Sequence, residues 1–482
     1  MDEHNDWLET ALQPFRHPTL PHDWPSPAAV QERAARQRRR RFAAASGGTS
    51  VVLAALLVVG LVGFGNHGPT LPNRSGAIVR AAGPNGSTHL VAEVKLQSAL
   101  GSPASVGAVG QAEQRFALEL TRLELAGSPG SNVLLSPLSA HIDLSMLELG
   151  AAGATAAQIA TALQSSGLSP AEQAAAWNGL VQSLMAAESP GELQLANSLW
   201  VQQDLHVQAT FLREAAETFG DDTYQVNFAS NSSEDAINAW VAQETAGRIK
   251  VLYPAGSLSA ATEVVLANAL HFHAAWQRDL FQSATVGSAP FHLPSGTTVS
   301  VPMIEDSQDP FSYAQTSAFD AVQLPYTNGR FAAMLLEPTS GSMSAFLAGL
   351  TPDRLASITR SLQSGYVKLS MPELKLSSLG SLDDALSAMG MAPAFSSADF
   401  TPLLGADGAV NQAIGGVEQA ATLDVNKWGT DAAAATGSSV ISSAAHSTNG
   451  TIAFDHPYLF LLRDSKTGAI LFSSVVNNPA QA

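Results

Sequence analysis

Cysteine is absent from the 482 residues, which excludes disulfides, thiolate metal sites and a cysteine nucleophile. Charge is scarce as well. Only 13% of residues are charged, and 41 acids face 24 bases for a net charge of -17, a balance that argues against a nucleic-acid partner. Two enzyme signatures are missing, the GxSxG nucleophile elbow and the HExxH zinc motif, and the serines and histidines show no catalytic spacing. These absences point to a protein that is not an enzyme and uses no cofactor or metal. Packing must then supply its stability, and with 45% hydrophobic residues the chain can bury a sizeable core. The last shortage is local. Between Ser438 and Ser447 there is no Lys or Arg, and apart from Val440, Ile441 and His446 the side chains are small.

The N-terminal region has its own character. Residues 1–41 read as a soluble tail, with Pro14, Pro18, Pro21, Pro25 and Pro27 opposing any long helix, and they end in Arg33, Arg36, Arg38, Arg39, Arg40 and Arg41. No charge interrupts residues 42–65, whose strongly apolar part runs over 51–64. A membrane-spanning helix needs about 20 apolar residues and ~17 at the least, so this stretch can span. The arginines hold the tail in the cytoplasm and send the remainder outward. A cleaved signal would be complete within roughly 15–30 residues, which disfavours it here. The expected organisation is a cytoplasmic tail over 1–41, a transmembrane helix over 42–65, a Gly, Ser, Pro and Asn-rich flexible linker over 66–108 and a large extracellular domain over 109–482.

Within that domain the periodicities predict a helix over 111–125, a buried strand over 133–135 stopped by Pro137, and an alternating strand over 193–202. An amphipathic helix over 237–250 closes at Gly247, and a near-continuous apolar strand covers 262–276. Short strands are expected over 301–304, 322–326, 332–338 and 367–376, with helices over 342–350 and 352–362. Mixed order of this kind suits an α+β fold. Ser136 and Ser139 fit a turn and helix N-cap. His271 and His273 stand two apart but have no carboxylate or cysteine nearby in sequence, so they are read as ordinary strand histidines.

The most informative stretch is 427–446, KWGTDAAAATGSSVISSAAH. One reading is a short helix capped by its Thr-Asp pair. The other is an extended segment in which Thr430, Ala432, Ala434 and Thr436 share a small, uncharged face that could slide between two strands. The pattern Gly429 to Thr436 resembles the hinge of the serpins. Two further stretches resemble that family: FDHPYLFLLRD over 454–464, and NVLLSPLS over 132–139 followed by LELGAAGATAAQI over 147–159. The resemblance spans roughly 109–479.

That resemblance implies a serpin fold: a large mixed β-sheet with further sheets, surrounding helices and an exposed reactive-centre loop. It makes Gly429, Thr430, Asp431, Ala432, Ala433, Ala434, Ala435 and Thr436 the hinge, and places Ser136 and Ser139 in the shutter, where Gln419 replaces the family's histidine. Trp276 takes the breach position. Lys427 and Glu373 hold a family ion pair with both signs reversed, so the two side chains are expected within salt-bridge reach. Counting forward from the hinge puts the reactive bond at Ser443–Ala444; counting back from His456 and Pro457 puts it near His446–Ser447. The implied partner is a serine protease, with a cysteine protease as the other option. Its primary pocket would be shallow and apolar, elastase-like or subtilisin-like, since no basic residue is offered. A monomer that traps its target is expected, and a membrane-displayed binding or chaperone module is the rival.

Overall fold

A computed structural model describes residues 78–92 and 101–481, except 166, 169, 187–192, 220–221, 261, 278–279, 328, 407–409, 413 and 432–446. No helix among the described residues is long and apolar enough to cross a membrane, and the expected span at 42–65 lies outside them.

Two sheets meet at one strand and form the functional face. The first runs in the order Ile78–Ala82, Thr88–Ala92, Asp222–Val226, Leu193–Gln202, Val264–Phe272, with only the 193–202 and 222–226 pair parallel. The second is Leu374–Ser381, Glu418–Asn426, Gly429–Thr430, Ala274–Ala275, all antiparallel. His273 alone separates Phe272 from Ala274, so the chain passes directly from one sheet to the other. Below that junction no ladder joins Val264–Phe272 to Glu418–Asn426 among the described residues. A cavity of about 230 Å³ occupies the gap, lined in part by Arg248, His271, Lys375, Asp424 and Asp431.

The core lies behind this face. A seven-stranded antiparallel sheet, Gln363–Tyr366, Pro310–Gln315, Phe319–Pro325, Phe331–Pro338, Tyr458–Asp464, Ile470–Val476 and Val133–Leu135, carries the most apolar strands. Every residue of Ile470–Val476 is buried, Ser473 and Ser474 included, in keeping with the apolar residues at its other five positions. Helix Pro137–Leu149 is buried on all sides over its first eleven residues, and Pro137 fixes its first turn where no N–H is needed. A four-stranded sheet, Thr451–Ala453, Lys368–Pro372, Thr298–Asp306 and Thr285–His292, receives the chain after residue 446.

Several boundaries differ from the sequence reading, among them the strand expected over 367–376, which divides at Glu373 into Lys368–Pro372 of the four-stranded sheet and Leu374–Ser381 of the second sheet. Residues 66–108 were expected as linker, yet Ile78–Ala82 and Thr88–Ala92 form a hairpin on the edge of the first sheet. Leu90 is buried there and His89 stacks on Tyr224 at 4.6 Å, contacts that a Gly and Ser-rich composition conceals. Helix Pro103–Gly127 begins earlier than 111 because Ser102 caps it, accepting from the Ser105 N–H at 3.1 Å, with Pro103 at its first position. The helix expected over 237–250 runs instead over Ser232–Glu244, with Gly247 at φ 81° in the turn beyond it.

Candidate functional site

The site is built where Glu418–Asn426 turns back on itself. Lys427 and Trp428 form a two-residue turn, and Gly429–Thr430 returns as a short strand between Glu418–Asn426 and Ala274–Ala275. Gly429 has φ 151°, and a Cβ there would sit 2.1 Å from the Ala274 carbonyl oxygen, so only glycine fits this approach. Thr430 is 2% exposed, and its hydroxyl pairs with the Tyr326 hydroxyl at 2.5 Å. Burial raises the Tyr326 phenol far above its ordinary range, so it stays a neutral partner.

Asp431 stops the returning strand. It adopts φ 50°, its N–H donates to the Asp424 carbonyl at 2.7 Å, and its side chain turns toward Val264–Phe272. There His271 Nε2 donates to Oδ2 at 2.6 Å and Arg248 holds Oδ1 at 2.5 Å. His273 Nδ1 donates to the Asp431 carbonyl. Thr430 is thus seated in the sheet, and Asp431, the residue after it, is clamped at its mouth.

Trp276 locks this arrangement from above. Its indole N–H donates to the Asn426 carbonyl at 2.9 Å, its backbone N–H to Trp428 at 3.0 Å, and its ring stacks on Tyr326 at 4.5 Å. Below the gap, Gln419 grips the backbone of Ser136 with both ends of its amide: Oε1 accepts the Ser136 N–H and Nε2 donates to the Ser136 carbonyl, each at 2.8 Å. The Ser136 and Ser139 hydroxyls lie 2.7 Å apart, and Ser136 also donates to the Leu471 carbonyl at 3.1 Å. Strand, helix start and core sheet are therefore joined at one point.

The expected ion pair between Lys427 and Glu373 does not form. Lys427 lies in the turn, and its ammonium sits over the Trp428 ring at 4.7 Å. Leu374 pairs with Val425, so the ladder places Glu373 level with Asn426, one step short of the lysine. Ala432, Ala433, Ala434, Ala435 and Thr436, and the reactive-bond candidates Ser443, Ala444 and His446, lie outside the described residues. Ser447 is described and exposed, four residues before Thr451–Ala453. Sequence reasoning missed Arg248, His271, His273 and Tyr326. The His-x-His spacing brings both imidazoles to Asp431, whose carboxylate meets His271 and whose carbonyl meets His273, but that residue stands 160 positions away from His271.

A family profile described as serpin (serine protease inhibitor) matches residues 111–479. The chain belongs to the serpin family. Mouse serpin A9 is 33% identical over 381 residues, covering 77% of this chain and 88% of the mouse protein. The leukocyte elastase inhibitor of Bos taurus is 31% identical over 378 residues, covering 76% of this chain and 98% of the bovine protein. Among solved structures, human glycosylated kallistatin superposes with a TM-score of 0.69 at 25% identity, covering 78% of this chain and 99% of that one. The serpin fold, with its several sheets and surrounding helices, is α+β as expected, and a serpin is a protease inhibitor by family rather than an enzyme.

Proposed function

We propose that this serpin inhibits serine proteases by offering residues 437–447 as bait, and that it is displayed on the outer face of a membrane by residues 42–65. The protease serine attacks the carbonyl of the reactive bond, Ser443–Ala444 by the hinge count, the C–N bond breaks, and an acyl-enzyme forms. The freed hinge then continues the strand already begun by Gly429–Thr430 and carries the acylated protease with it. The observation that carries this reading is Thr430, seated in the sheet at 2% exposure next to an unpaired gap. Each further backbone group that enters exchanges water for ladder partners, about 0.5–1.5 kcal/mol net per hydrogen bond. The small residues Ala432, Ala434 and Thr436 bring no charge that would oppose entry.

The absence of Lys and Arg from 438–447 supports a target with a shallow apolar primary pocket, elastase-like or subtilisin-like. Incubating the purified protein with each of these and with trypsin, followed by a denaturing gel, tests both halves of the proposal. A heavier SDS-stable band with elastase or subtilisin is expected, and none with trypsin. Clean cleavage without that band would make the protein a substrate or a binding module. Display on the membrane predicts that intact cells exposed to external protease lose the domain and keep the tail.

A further inference from the structure

We propose that Glu337, Asp455 and His456 bind a divalent transition-metal ion of the zinc type at the base of the reactive loop. Glu337 stands near the end of strand Phe331–Pro338, and Asp455 and His456 lie in the link from Thr451–Ala453 to Tyr458–Asp464. One donor atom from each of the three lies within 4.8 Å of the others. His456 Nδ1 is 2.6 Å from Asp455 Oδ1 and 3.6 Å from Glu337 Oε1. Exposure grades from 12% at the Glu337 side chain through 34% at Asp455 to 56% at His456, a closed floor with an open mouth.

The charges around the site are unbalanced. Asp320 stands directly across the ladder from Glu337, and its Oδ1 is buried without a hydrogen-bond partner. Like charges opposed on a sheet destabilise it. A bound cation removes that penalty. A second, independent sign comes from Tyr458. Its hydroxyl is fully buried and has no hydrogen-bond partner, two residues along the chain from His456.

The donor set selects the ion. One imidazole nitrogen and two carboxylate oxygens match a three-ligand zinc site with its fourth position free, whereas calcium prefers six to eight oxygens. The imidazole is already oriented, stacked on His292 at 4.6 Å, while the His292 N–H donates to the Asp455 carbonyl at 2.7 Å. An ion there would tie a strand of the seven-stranded sheet to the segment in which the reactive loop ends.

The test uses the full chain, freed of metal with a chelator and titrated with Zn²⁺ by calorimetry and by thermal unfolding. One equivalent should bind and the Tm should rise with Zn²⁺ concentration, with Ca²⁺ giving no such rise. Glu337→Gln keeps the shape of its side chain and His456→Ala alters a half-exposed residue, so both variants should fold. Each should weaken Zn²⁺ binding by at least about tenfold, the loss expected when even an outer-shell partner is removed. The exposed His206→Ala serves as control and should bind as the parent does. Absence of Zn²⁺ binding, undiminished binding in both variants, or equal binding of Ca²⁺ would overturn the proposal. None of these readouts depends on protease trapping.

Discussion

His271 donates from Nε2 to the Asp431 carboxylate at 2.6 Å, and both side chains are nearly closed to solvent, 13% and 11% exposed. This contact holds Asp431 directly after the short strand Gly429–Thr430. Asp431→Ala strands the imidazole N–H and removes a charged hydrogen bond, a loss of about 1.5–3 kcal/mol. The expected result is a lower Tm and faster cleavage of 432–447 by limiting subtilisin. Arg248 is 51% exposed, so its pair with Asp431 is screened. Arg248→Ala should have a smaller effect, one that vanishes in about 1 M salt. Equal cleavage rates in the parent and Asp431→Ala would show that the contact does not restrain the hinge.

Thr430→Arg should separate cleavage from trapping. A guanidinium at this buried position must leave water beside the Tyr326 hydroxyl, so the seat from which further entry continues becomes unfavourable. The reactive bond remains accessible. Gels should show the nicked chain and no SDS-stable complex, and a persistent complex would contradict the role given to this position.

Gln419→Ala removes both hydrogen bonds to the Ser136 backbone and leaves the largely buried Ser136 N–H unpaired, while the Ser136 carbonyl keeps the Ala140 N–H at 3.2 Å. The cost should be about 1–3 kcal/mol for the N–H left unsatisfied. A fall of several degrees in Tm is expected, read by calorimetry, whereas Gln419→Glu should retain the acceptor half and fall less.

Two buried groups set the dependence of stability on pH. Burial pushes the Glu113 carboxyl from near 4.5 up to about 8, against the hydrogen bond from the Ile470 N–H. The folded protein then keeps a proton that the unfolded chain has released, so stability falls as pH rises from 4.5 to 8. Burial between Phe116 and Trp177 pulls His141 from 6.5 down to about 4. The unfolded chain takes up that proton first, so stability falls as pH drops from 6.5 to 4. The two slopes oppose each other between 4.5 and 6.5, and from 6.5 to 8 the Glu113 slope acts without the opposing one of His141. Denaturant titrations across pH should show that decline, and Glu113→Gln should flatten it.

Local patterns that lie close together in the chain were legible in the sequence. The alternation over 193–202 matches strand Leu193–Gln202 residue for residue, and the extended reading of Gly429 and Thr430 matches the short strand they form. Relations fixed by tertiary register were not legible. Lys427 and Glu373 looked like partners until the Lys427 and Trp428 turn removed one of them from the ladder. His271 and His273 looked inert because their partner lies far along the chain and is brought in by the return of the hinge. The hairpin over 78–92 escaped notice because composition records flexibility, whereas an edge strand needs only a partner ladder and one buried residue, Leu90.

That hairpin couples the chain's point of entry to the machinery. For a new strand to lodge between Val264–Phe272 and Glu418–Asn426, one flank must shift sideways by about one strand spacing, roughly 4.8 Å. Ile78–Ala82 is the outer margin of that flank, bonded through Thr88–Ala92 to Asp222–Val226. Widening the gap therefore displaces the place where the polypeptide arrives from its N-terminal side, and a pull applied there bears on how readily the gap widens.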